Sequence, residues 1–240
     1  MHELRRFEYS HEGVSFVGRL AAPAGPGPHP GVLVMHDGQG VGDFVCRRAQ
    51  DLADLGFIAL ATDMFGGGKR HFDPAESTPA VLGLTQHGER LRRRVVAAFE
   101  AFATLPEVDA SRIGAIGYCF GGHCVLELAR SGRAAKAVVS FHGTLGTYRQ
   151  ARPGEVNASI LVLTGALDPF APAKHVAAFQ EEMSEADADW HMTIYSKGKH
   201  GFTDPIADAT SKVMAGVGYD PILARLSWEQ GLAFLRAALE

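Results

Sequence analysis

The segment Gly114-Ala115-Ile116-Gly117-Tyr118-Cys119-Phe120-Gly121-Gly122-His123 constrains the fold more than any other part of the chain. A short apolar run enters Gly-x-Cys-x-Gly and leaves as a helical pattern. That is the shape of a nucleophile elbow, with cysteine where serine usually stands. The glycines permit the tight turn, and the turn lifts the cysteine above the end of a strand. Such a strand must lie in a sheet covered by helices, so the rest of the chain should alternate strand with helix.

It does. Residues from about Leu4 to Ala22 alternate around His11-Glu12-Gly13 as an antiparallel hairpin would. Val32–Met35, Phe57–Ala61, Arg112–Gly117, Ala137–Phe141, Ile160–Leu163 and Trp190–Tyr195 read as further strands. The continuous apolar runs among them suit strands buried on both faces. Helical spacing falls at Phe44–Leu55, Gly88–Leu105, Phe120–Arg130, Lys174–Met183 and Ile222–Leu239. Gly66 to Pro79 reads as a loop, and Gly201 to Tyr219 as a long irregular stretch suited to covering a site. The expectation is one α/β domain over residues 1–240, a mostly parallel sheet with helices on both faces and an N-terminal antiparallel hairpin.

The formal net charge of −4 and the absence of long like-charge blocks give no footprint for nucleic acid or an anionic membrane surface. The Arg92-Arg93-Arg94 run falls on a helix and reads as a solvated face. No apolar run is long enough for a membrane span. The N-terminal residues lack a signal-peptide core, and the three cysteines, Cys46, Cys119 and Cys124, suit a reducing compartment, so a cytoplasmic protein is expected.

Cysteine attacks as thiolate, and a helix N-terminus favours negative sulfur. Cys119 has the right partners downstream. Asp168 follows the strand Ile160–Leu163, at the sheet edge where open α/β sheets place their ligands. His200, flanked by Gly198 and Gly201, follows the strand Trp190–Tyr195. A base must reach the nucleophile and be oriented by a third group, and the order Cys119, Asp168, His200 satisfies this. The Phe120 N–H and an N–H after Val32–Met35, at Gly38, would serve a developing oxyanion. Asp37 reads equally well as a turn residue and as an acid that exchanges protons with the thiol. Cys124 reads as core. Cys119 and His123 are spaced i, i+4, but no second ligand pair makes a metal site of them, and no nucleotide-binding glycine motif is present. Tyr118, His142 and Trp190 suit a pocket or a core equally.

These residues resemble the dienelactone hydrolase family of α/β-hydrolases over nearly the whole chain. Val34-Met35-His36-Asp37 with Gly40, Ala61-Thr62-Asp63-Met64-Phe65-Gly66, Gly117-Tyr118-Cys119-Phe120-Gly121-Gly122, Ser140-Phe141-His142-Gly143, Gly165-Ala166-Leu167-Asp168-Pro169 and His200-Gly201-Phe202 carry the similarity. The resemblance implies a cofactor-independent hydrolase of small esters or lactones. It implies Cys119, Asp168 and His200 as triad, and Gly38 and Phe120 as oxyanion donors. The chain departs from the family at two points. Asp37 stands where the dienelactone enzymes carry a glutamate that helps activate the thiol. Asp204 stands where they carry an arginine that holds the substrate carboxylate, and an acid there repels one. Lys69, Arg70 and His71 are candidate substitutes for that arginine. The expected partner is a small-molecule ester or lactone, bound by a monomer or homodimer; the alternative is a non-catalytic binder on the same fold.

Overall fold

The computed structural model describes residues 3–211 and 214–240. An eight-stranded sheet runs through it in the order β1-β2-β4-β3-β5-β6-β7-β8. β1 (Arg5–His11) and β2 (Val14–Ala21) form the hairpin, and β2 pairs antiparallel with β4 (Ile58–Thr62). β3 (His29–Met35), β4, β5 (Val108–Tyr118), β6 (Ala137–Phe141), β7 (Ser159–Gly165) and β8 (Trp190–Tyr195) are all parallel. This is the α/β-hydrolase architecture, with the antiparallel hairpin at one edge.

The apolar runs divide by the two-residue period of a strand. In β3, Leu33 and Met35 face one core while Val32 and Val34 face the other. The first core is closed by α3 (Gly88–Ala103), α4 (Phe120–Arg130) and α5 (Ala173–Glu185). The second is closed by α1 (Asp43–Asp54) and α7 (Pro221–Leu239). Burial on both faces is why these strands read as continuous apolar runs rather than alternating ones. Among the described residues no helix is long and apolar enough to cross a membrane.

Three expectations need correction. The segment Gly66 to Pro79 is not wholly loop, because α2 (Pro74–Thr85) begins inside it. Asp73 caps that helix, accepting from the Ala75 N–H at 2.8 Å, and Pro74 opens the first turn where its missing N–H costs nothing. The stretch after His200 is also partly ordered into α6 (Ala207–Ser211). Finally, Arg92 does not face water. It enters the interior and meets Glu127 at 2.8 Å. Arg130 lies against the same carboxylate and against Glu182 at 2.7 Å. The interior carboxylates outweigh the exposed-face pattern of the arginine run, and only Arg93 keeps its ion pairs at the surface.

Candidate active site

The elbow is built by close packing of backbone on backbone. A Cβ at Gly117 would collide with the Gly121 carbonyl, and one at Gly121 with the Met35 carbonyl. Gly122 and Gly143 meet in the same way where α4 passes the end of β6. With no side chains at these points, α4 starts directly behind β3 and β5. Cys119 is then forced to φ 54° and ψ −114°, a conformation that a residue other than glycine rarely adopts. It is N-cap of α4, and its thiol is half-buried at the base of a cavity.

Each partner arrives from the end of a neighbouring strand. Asp168 follows β7 and His200 follows β8; contact between Gly165 and Gly198 closes the two loops together. The His200 backbone is pinned to the returning chain at Gly216 and Gly218. His200 Nε2 lies 3.0 Å from Cys119 Sγ, and Nδ1 lies 2.9 Å from Asp168 Oδ2. The other Asp168 oxygen accepts from the Phe170 N–H at 2.8 Å, which fixes the carboxylate, while the Phe170 ring stands edge-on to the imidazole. Burial disfavours a charged His200, but the sulfur on one side and Asp168 on the other outweigh it and push its pKa up to about 10. An imidazolium beside sulfur is the state in which a thiol nucleophile is armed.

His142 is a part of the site that sequence reading left undecided. It is buried at the end of β6 with φ 40°. The Cys119 N–H is shared between the Phe141 carbonyl at 3.0 Å and His142 Nδ1 at 3.2 Å. An acceptor at Nδ1 places the ring proton on Nε2, which donates to Thr203 Oγ1 at 2.8 Å. The ring also stands edge-on to His200. Burial, reinforced by His200, drives its pKa well down and keeps it neutral. The signal in the sequence was a polar residue directly after a buried strand, in Ser-Phe-His-Gly.

Asp37 and Gly38 line the cavity, as do Asp204, Ile206 and Met214 from the stretch after His200. The volume is about 450 Å³. The Asp37 carboxylate accepts from the Gln39 N–H at 2.7 Å. Burial pushes its pKa up to about 6, and Asp204 adds to that while His200 works against it. Phe120 opens α4 immediately after Cys119, with its ring stacked on Phe65. Cys124 is fully buried, and burial raises its thiol pKa well above the usual value. Arg70 turns away from the cavity into a neighbouring hollow, where it meets Asp43 at 3.3 Å.

Residues 16–239 match the dienelactone hydrolase family. The chain belongs to that family. Two solved structures cover 99% of this chain and are themselves covered to 99%. One is m3DLH, with a TM-score of 0.92 and 36% identity. The other is P91, a dienelactone hydrolase-like promiscuous phosphotriesterase from metagenomic libraries, with a TM-score of 0.90 and 33% identity. A Bradyrhizobium protein described as a probable 2-oxo-3-(5-oxofuran-2-ylidene)propanoate lactonase is 29% identical over 234 residues, 93% of this chain and 90% of that one. Membership makes this family protein a hydrolase.

Proposed function

We propose that this dienelactone hydrolase family member cleaves small carboxylic esters or lactones with Cys119 as nucleophile, His200 as base and acid, and Asp168 as the group that orients His200. The observation that carries the reading is the continuous path from Sγ through the imidazole to the carboxylate, at 3.0 and 2.9 Å. Both distances lie within hydrogen-bond reach of the kind that acyl transfer needs.

In the reaction, the Cys119 sulfur adds to the carbonyl carbon and the carbonyl oxygen takes up negative charge. The N–H groups of Gly38, in the cavity lining, and of Phe120, the residue after the nucleophile, are the donors assigned to that oxygen. The tetrahedral adduct collapses, the alkoxide leaves, and His200 gives it a proton. A thioester on Cys119 remains. Water, losing a proton to His200, attacks the thioester, and collapse of the second adduct releases the carboxylic acid and returns the proton to the Cys119–His200 pair. In a lactone the leaving alkoxide stays tethered to the acyl group, and the product is a hydroxy acid. Asp37, half-buried beside the pair, is the acid that tunes the charge of the thiol. A reducing cytoplasm suits a nucleophile of this kind.

The test is to trap the intermediate. Wild-type protein mixed with p-nitrophenyl acetate and quenched in acid should carry one acetyl group on the peptide that contains Cys119. An acetyl group on another residue, or turnover that persists in Cys119→Ala, would remove the proposal.

A further inference from the structure

The cavity above Cys119 is lined by three carboxylates, Asp37, Asp73 and Asp204, while its imidazole His200 is already held between Cys119 Sγ and Asp168 Oδ2. Asp37 enters it from the loop after β3 and Asp204 from the stretch after His200. Each is anchored by a neighbouring backbone N–H, Asp37 by Gln39 at 2.7 Å and Asp204 by Ile206 at 3.0 Å. The two carboxylates are near enough for Asp204 to disfavour charge on Asp37. Among the described residues, no lysine or arginine lines the cavity. The guanidiniums around it are engaged elsewhere. Arg70 sits in one adjoining hollow, paired with Asp43 and lying over the Phe72 ring. Arg48 sits in another, paired with Asp51 at 3.1 Å and lying over Trp228; it draws on Asp204 from that side.

Phe44, Phe72, Phe170, Ile206 and Met214 give the wall a large apolar and aromatic share, beside polar side chains that include His71, which meets Glu76 at 3.8 Å. Such a wall lowers the local dielectric and strengthens like-charge repulsion. A substrate carboxylate entering here would shed its water among these acids and gain no lysine or arginine partner. A quaternary ammonium would meet two counter-charges and aromatic faces. Selection of this kind works by rejecting the wrong charge as much as by attracting the right one.

We propose that this cavity takes esters and lactones that bear no negative charge, neutral or cationic, and that Asp37 and Asp204 reject substrates bearing a carboxylate. The proposal rests on the reading of the site as an ester hydrolase. It separates this chain from relatives whose described substrates are themselves carboxylates.

The experiment compares kcat/KM for p-nitrophenyl esters of pentanoate, of glutarate as its half-ester, and of 4-(trimethylammonio)butanoate. It is run at about pH 8, well above the about 6 at which Asp37 titrates. Wild type is set against Asp37→Asn and Asp204→Asn, since asparagine keeps the oxygen that accepts the anchoring N–H. The neutral and cationic esters should each exceed the half-ester by ~10-fold or more, and each substitution should narrow that gap by ~3-fold or more. A half-ester hydrolysed as fast as the pentanoate by wild type would overturn the proposal, and so would a gap unmoved by both substitutions.

A second measurement needs no turnover. Alkylation of Cys119 by iodoacetate and by iodoacetamide, followed on its peptide by mass spectrometry, reads the same field with reagents that differ in charge. The iodoacetate-to-iodoacetamide rate ratio should rise ~3-fold or more in each Asn variant. An unchanged ratio overturns the charge proposal. Absence of hydrolysis of every ester would overturn the hydrolase reading, while the alkylation ratio still decides on the field.

Discussion

Cys119, Asp168 and His200 stand out in the sequence as candidates because each follows a strand, with glycine or proline within two residues, in an order that a triad can use. His142 carries its meaning only in three dimensions, as does the approach of Asp204 to Asp37. Nothing in Ser-Phe-His-Gly says that an imidazole accepts the nucleophile's own N–H while donating to Thr203, sixty-one positions later. His142 is a positioning residue in this reading. His142→Phe should lower kcat by ~10-fold or more, because small misplacements of reacting groups are costly, and leave KM nearly unchanged. Steady-state kinetics with the pH profile checks it: loss of packing alone would lower the amount of active enzyme without moving the pH dependence of kcat. Asp37 makes a prediction of opposite sign for stability. Its folded-state pKa stands above that of an unfolded aspartate, so the folded protein binds the extra proton. The stability contributed by that proton is full below about pH 4 and is lost as pH rises through about 6. Asp37→Asn should therefore raise Tm above about pH 6 and change it little below about pH 4, measured by thermal unfolding across that range.

β3, β4, β6 and β7 were readable as elements because burial on both faces leaves them apolar with little interruption, β1 and β2 because they alternate, and helices α1, α3, α5 and α7 because each carries an apolar stripe. α2 was obscured by its composition: Gly, Pro and charge surround it, Pro79 lies inside it, and it has little buried surface to declare a face. Its one local signature was Asp73-Pro74, a cap followed by proline at the first turn. Asp73→Ala should destabilise α2 by about 1 kcal/mol. Because Ser77 of this helix lines the cavity, faster amide exchange over residues 75–78 is the readout. The elbow is less forgiving. At Gly121 a methyl group would meet the Met35 carbonyl, a backbone atom that has nowhere to move. Gly121→Ala should cost ~3 kcal/mol or more, or prevent folding, as denaturant unfolding would show.

At the scale of the whole molecule, the chain places the proposed catalytic groups at one edge of the sheet and its buried charge behind α4. The set Arg92, Glu127, Arg130 and Glu182 joins α3, α4 and α5 beneath the loop from Leu145 to Ala151, which supplies further backbone contacts. Breaking one member leaves an unpaired buried charge, so Glu182→Ala should cost about 3–5 kcal/mol in equilibrium unfolding. The arginine run looked like a solvated surface in the sequence because the carboxylate that draws Arg92 inward, Glu127, lies 35 residues further on. The proposed function turns on one atom, the Cys119 sulfur. The most direct measurement is kcat/KM of purified Cys119→Ala on an aryl ester, with Tm confirming that the variant is folded. A fall of about 10³-fold or more is predicted. Activity within about 10-fold of wild type in the folded variant would contradict a cysteine nucleophile.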